Sequence, residues 1–199
     1  MAATDVPKLQ LATAPLLCKN PTVEDIIEWR LRANLFYQNL GIGDVTVGNP
    51  PGQLPGNALA VNVTLGKRYI LACIQCPDTL VLLQAQANGP AIWNFIATAL
   101  MGGRDEQAAI QSIIEGMHYD GTTSIVAFFG RFSLFANAVV PAMGHNRKCL
   151  LYSMRFSSEV LSVISGCDIN PGHNNFDAYA AACTVAINLN ITRQSGRIF

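Results

Sequence analysis

Charge is what this chain has least of. Only 13% of its 199 residues are charged, about half of the ~25% usual in soluble domains. The balance is even, with 13 Lys and Arg against 13 Asp and Glu. An even balance without basic runs excludes proteins that grip phosphates through a basic tail or patch. The densest basic clusters are only Lys67-Arg68 and Arg147-Lys148. Long apolar runs are missing as well. No stretch of ~18 residues is free of charge or of clustered polar side chains, and the best candidate, 125–140, carries Arg131 in its middle. No membrane-spanning helix is therefore expected. Met1-Ala2-Ala3-Thr4-Asp5 offers no basic region ahead of an apolar block, so no signal peptide is expected either.

Histidine is scarce. None of His118, His145 and His173 has a partner at ligand spacing. Cysteine is more frequent, at Cys18, Cys73, Cys76, Cys149, Cys167 and Cys183, but the chain is too long and core-rich for a disulfide scaffold. Cys73-Ile74-Gln75-Cys76 has redox or zinc spacing, yet no second Cys pair or nearby His completes four ligands. The thiols read as buried small hydrophobes. Gly41-Ile42-Gly43 begins like a dinucleotide fingerprint, but it follows a helix pattern and lacks the third glycine. Gly102-Gly103-Arg104-Asp105 could hold an anion at the next helix start, although paired glycines read more simply as a flexible boundary. No catalytic residues, metal ligands or cofactor are expected, and no small-molecule substrate.

What the chain does have is apolar residues, 50% of the total, with a mean hydropathy of +0.27. A monomer of this size normally covers itself with charge. With membrane insertion set aside, burial of surface against other subunits is the expected explanation.

The apolar residues recur at helical spacing. Thr22 and Asp25 form a capping-box pattern ahead of Ile26, Trp29, Ala33, Phe36, Tyr37 and Leu40, one apolar face that Gly41 ends. Residues 48–57 are rich in Gly and Pro and form a long loop, with a weak strand possible at 45–47. Residues 58–76 read as a buried helix that Gly66 interrupts, and Pro77 starts another running through Gln86. After Asn88-Gly89-Pro90 come Ile92, Trp93, Ile96, Ala97 and Leu100, then Ala109, Ile110, Ile113, Ile114 and Met117. The strongest stripe is Ile125, Phe128, Phe129, Phe132, Phe135 and Val139, closed by Pro141, with Phe128, Phe132 and Phe135 expected in the core. Helices follow over 145–156 and 157–164. The last carries Phe176, Tyr179, Ala180, Cys183 and Ile187 on one face, with a loose polar tail beyond Ile191. The expectation is an all-α fold of about nine helices in two small lobes. An arm spans 1–20, the lobes span 21–102 and 103–192, and a tail covers 193–199. Trp29 and Trp93, the only tryptophans, should touch one core.

The order of these segments resembles the capsid region of Gag polyproteins from copia-type LTR retrotransposons. The resemblance runs from Trp29 to about Asn190. It rests on Ile27-Glu28-Trp29-Arg30-Leu31-Arg32, Gly89-Pro90-Ala91-Ile92-Trp93-Asn94-Phe95, Ile113-Ile114-Glu115-Gly116-Met117, Phe128-Phe129-Gly130-Arg131-Phe132, Cys149-Leu150-Leu151 and Asn175-Phe176-Asp177-Ala178-Tyr179. Its motifs are matters of order and spacing. The chain departs from the family in its Pro/Gly-rich 48–57 loop, its low charge and its lack of a zinc knuckle. It therefore reads as a capsid fragment or as a Gag without its nucleic-acid module.

The resemblance implies retroviral-capsid-like N- and C-terminal domains and a non-enzymatic structural protein. Such a protein self-assembles into cytoplasmic virus-like particles around retrotransposon RNA. The partner is the chain itself, in pentameric or hexameric rings and in twofold contacts. RNA is expected to be packaged through a segment absent here. The implied contact residues are Glu24, Glu28 and Arg32 on the first helix, with Val139, Val140 and Tyr152 in the second lobe. Two alternatives remain: the coat protein of an unrelated RNA virus, and a host-domesticated Gag-derived assembly protein.

Overall fold

The structure is a computed structural model and describes residues 14–42, 46, 65–172 and 174–195, without the side chains of 100 and 191–195. Every regular element among them is helical. The only β pairings are isolated parallel bridges, Leu17 with Ile74 and Tyr119 with Phe156. The all-α expectation is met. The chain divides into two compact units, Met1–Glu106 and Gln107–Phe199.

In the first unit, α1 spans Val23–Asn39. Thr22 starts it as the sequence predicts. The Thr22 hydroxyl accepts the Asp25 amide (3.2 Å), while the Asp25 carboxylate accepts the Thr22 amide (2.9 Å). Two amides that the helix itself leaves unpaired are thereby satisfied. Thr22→Ala is expected to cost about 1 kcal/mol, measurable as a lowered urea midpoint with an unchanged slope. At the other end Gly41 takes a φ of +68°, the left-handed geometry of a helix C-terminus. Thr46 donates its amide to the Ile42 carbonyl (3.2 Å), a helical contact, while the rest of the strand suggested at 45–47 and the 48–57 loop lie outside the described residues.

The face α1 buries is wider than its stripe. Ile26, Trp29, Ala33 and Tyr37 are buried as expected, but so are Ile27 and Arg30. The helical run 65–72, α2, contains buried Gly66 and stops before Cys73. Next, α3 spans Pro77–Gln84 and ends two residues short of the expected Gln86. There Lys67 Nζ bonds the carbonyls of Gln84 (2.8 Å) and Gln86 (2.6 Å), satisfying acceptors that the helix end exposes. Asn88 caps α4, Gly89–Phe95, which continues into a wider π turn over Ile96–Leu100. Trp29 and Trp93 meet with ring centroids 5.6 Å apart, and Tyr37 lies edge-on to Trp93 at 6.5 Å. The shared tryptophan core is therefore present.

In the second unit, α5 spans Glu106–Gly116, its first residue closing the first unit. Ser124 caps α6, Ile125–Ala138. Then come α7, His145–Ser153, and α8, Ser158–Ser165, capped by Ser157. Last is α9, Phe176–Ser195. It runs past the expected tail boundary at 192, since no Gly or Pro stops it.

Phe132 and Phe135 are fully buried, and Phe128 is half-buried. The Gln107 side chain closes the end of α6. Its amide donates to the Ala138 carbonyl (3.2 Å), and its oxygen accepts the Val140 amide (2.8 Å). The Tyr119 amide bonds the Arg155 carbonyl (2.7 Å), and the Ser157 amide bonds the Tyr119 carbonyl (2.9 Å), tying the α5–α6 turn to the α7–α8 turn. Phe176, Tyr179, Ala180, Cys183 and Ile187 are all buried on the inner face of α9.

Candidate assembly interface

The sequence-derived contact residues range from exposed to fully buried. On α1, Glu24 is exposed. Glu28 and Arg32, one turn apart, pair through Arg32 Nη2 (2.7 Å) and Nε (2.9 Å) to one oxygen of Glu28. An exposed i,i+4 pair of this kind is worth only ~0.3–0.5 kcal/mol, so it can open to meet another molecule. Glu28 and Arg32 also line a groove of about 240 Å³ with Asp25, Trp29 and the extended segment Pro15 to Cys18. The groove exists because α1 holds that segment: the Trp29 indole N–H donates to the Pro15 carbonyl (2.9 Å). Leu17 then pairs with the chain at 73–75 through its amide (2.8 Å) and carbonyl (3.0 Å). Leu16 on the groove wall and Leu35 on α1 expose more than half of their surface.

In the second unit Val140 is 72% exposed just past the end of α6, while Val139 is half-buried. Tyr152 corrects the sequence reading, because it is fully buried and unavailable for contact. Its ring lies 4.8 Å from Phe156, 5.0 Å from Phe132, 5.5 Å from Phe128 and 5.6 Å from Phe176. The large apolar residues that face outward here are Leu150 on its helix and Met154 just past its end, which are 53% and 58% exposed.

The thiols correct the sequence reading in part. Cys73, Cys149 and Cys183 are buried, but Cys18 and Cys167 are exposed and Cys76 is half-buried. Burial pushes the Cys73 and Cys149 thiols up, and Cys183 up to about 11. The Cys73 thiol donates to the Tyr69 carbonyl (3.3 Å) and receives the Tyr37 hydroxyl (3.3 Å), which makes it a packing element. Cys76 goes the other way. The Thr79 hydroxyl, 3.0 Å from its sulfur, lowers its pKa. No group of three or more His, Cys, Asp and Glu side chains able to hold a metal occurs among the described residues.

His145, unassigned in the sequence, starts α9: its Nδ1 accepts the Phe176 amide (3.2 Å). His173 lies outside the described residues. A second cleft, about 220 Å³, is lined by Asp120, Gly121, Glu159, Val160, Val163, Ile187 and Asn190. Hydrogen bonds hold both of its carboxyls below the usual carboxylate range. For Asp120 these come from the Thr122 amide (2.9 Å) and hydroxyl (2.7 Å); for Glu159 they come first from its own amide and then from Ser157 and Ser158.

Sequence reasoning missed the outer face of α9. Val185 is 57% and Leu189 is 54% exposed on the side opposite the buried Cys183 and Ile187. The signal was present, since no charged residue lies between Asp177 and Arg193.

No helix among the described residues is long and apolar enough to cross a membrane. No protein-family model, curated protein or solved structure matches the chain.

Proposed function

We propose that this chain is a structural protein that works by self-assembly, of the capsid kind its sequence resembles, and not by catalysis. The observation that carries the reading is the apolar surface each unit leaves uncovered. Among the described residues it comprises Leu16, Leu35, Val81 and Leu82 in the first unit, and Val126, Val140, Leu150, Met154, Val185 and Leu189 in the second, each more than half exposed. Single exposed hydrophobes are normal, but a chain with only 13% charged residues has little polar surface to dilute them. Repetition suits such contacts, since many weak ones become a stable shell once closed symmetry multiplies them.

On this reading the partner is the chain itself, without a cofactor or a small-molecule substrate, and the α1 face with Glu24, Glu28 and Arg32 makes ring contacts. An even charge balance gives RNA little hold, so nucleic acid enters particles through a segment other than those described.

Size-exclusion chromatography and negative-stain microscopy of the purified chain test the proposal. Closed particles of megadalton mass, persisting after nuclease treatment, are the expected result. A sharp monomer peak across salt and protein concentration would overturn it.

A further inference from the structure

Two neighbouring residues are anchored each to its own unit. Glu106, the last residue of the first unit, accepts Arg30 Nη1 of α1 at 2.7 Å. Gln107, the first residue of the second, bonds the Ala138 carbonyl (3.2 Å) and the Val140 amide (2.8 Å) at the end of α6. A single peptide bond separates the two anchors.

The segment just before them is built to change shape. Gly102 and Gly103 take φ of +63° and +73°, a backbone region that glycine enters at little cost. A Cβ at either position would meet nothing within 4 Å, so backbone conformation and not tight packing calls for glycine there. Residues 102–105 are all exposed. The backbone bonds that fold the segment are long, with the Gly103 amide on the Thr98 carbonyl and the Arg104 amide on the Met101 carbonyl, both at 3.3 Å.

What grips the segment is Arg30. Its guanidinium bonds Glu106 after the segment, lies 3.9 Å from the Met101 sulfur before it, and rests over the Trp93 ring at 5.0 Å. Met101 is itself buried, so one side chain spans both ends of residues 102–105. Arg30 stands with Ile26, Ile27, Trp29 and Ala33 among the buried residues of α1. A packed hydrophobe there would serve stability as well or better. A charge at such a position supplies geometry, because the Glu106 carboxylate is matched only where the guanidinium lies.

We propose that the Arg30–Glu106 pair is a clasp that sets the length of the linker between the two units. Closed, the part of the chain fixed to α1 runs directly into the start of α5. Open, residues 102–105 become linker, adding about 13 Å of reach when extended and pivoting on Gly102 and Gly103. Glu106 is the more exposed partner, so water reaches the pair from the carboxylate side.

Hydrogen exchange and trypsin, both applied to the full-length chain, test the clasp. The Gly103 and Arg104 amides report the two bonds that fold the segment. Trypsin cuts the Arg104–Asp105 peptide bond once the segment opens far enough to enter a protease in extended form. In Arg30→Met both amides should exchange roughly tenfold faster or more, and cutting at Arg104 should quicken by a similar factor, while amides in the middle of α1 keep their rates. Glu106→Gln keeps the side-chain volume and the buried arginine, and should give the same local pattern. Gln107→Ala loosens the other anchor and should leave Gly103 and Arg104 unchanged.

If neither Arg30→Met nor Glu106→Gln changes these rates by about threefold, other contacts hold the segment and the clasp is wrong. Acceleration shared equally by the α1 amides would reflect unfolding of the whole unit and would overturn it too. So would an equal response to Gln107→Ala, which would place control in α5 as a whole.

Discussion

Tyr152→Ala is expected to cost about 3–5 kcal/mol, the range for truncating a large aromatic side chain in a packed core. Tyr152 is fully buried, and its ring touches aromatic rings from α6 and α9 as well as Phe156 just beyond its own helix. Deleting it opens a cavity at the point where those elements meet, and a neighbour that moves in to fill it gives up ring contacts of its own. Total stabilities run only ~5–15 kcal/mol, so the loss takes a large share, with a fall in melting temperature of roughly 10 °C. Urea unfolding followed by near-UV circular dichroism reads this directly. A change below about 1 kcal/mol would mean that the ring cluster is not packed as described.

Tyr152→Phe should behave in the opposite way. The Tyr152 hydroxyl is buried without a hydrogen-bond partner among the described residues, and burial pushes its pKa well above the usual phenol value. An unsatisfied buried hydroxyl costs ~1–3 kcal/mol, so removing it while keeping the ring should leave the protein as stable or more stable. The two substitutions together separate the packing of the ring from the polarity of its tip.

Tyr152 also shows where sequence reading stops. Its helix, His145–Ser153, mixes Arg147 and Lys148 with Leu150 and Leu151, so its apolar period is too weak to show which side faces the core. The burial of Tyr152 is decided by rings that α6 and α9 bring to it, a tertiary effect that spacing alone does not report. Where local chemistry dominates, the sequence was readable. The Thr22–Asp25 box, the Gly41 terminus, the Phe132–Phe135 stripe and the inner face of α9 all follow from neighbours within one or two turns. The tryptophan pair was legible because two strong amphipathic helices each had one large ring to bury. The outer face of α9 was overlooked for a related reason. One complete apolar face already accounts for a helix, and the second shows only as missing charge. Of the candidate contact residues, Glu24, Arg32 and Val140 were readable as surface, but which surface a partner covers depends on atoms outside the chain.

Arg30 is the residue whose placement departs most from its type, and it sets the second large expectation. Glu106→Ala should cost about 2–4 kcal/mol, because it leaves a buried guanidinium without its counter-charge. Only 10% of the Arg30 side-chain surface is exposed, against 35% for Glu106. Nη1 of Arg30 donates to Glu106 Oε1 at 2.7 Å and lies 3.9 Å from the Met101 sulfur. The guanidinium carbon sits over the Trp93 ring, 5.0 Å from its centroid, while Nε has no partner among the described residues. The cation–π contact contributes ~0.5–2 kcal/mol, which is too little to replace a carboxylate once water is excluded. The opposite deletion should be milder. Arg30→Met keeps an apolar side chain over Trp93, and Glu106 is exposed enough to be solvated by itself. Replacing a buried charge with a packed hydrophobe is often neutral or better. The ordering is therefore the test: by urea unfolding, Glu106→Ala should lose clearly more stability than Arg30→Met. Equal losses would show that Arg30 contributes by attraction to Glu106 alone, and the reverse order would show that the buried guanidinium finds other partners when Glu106 is gone.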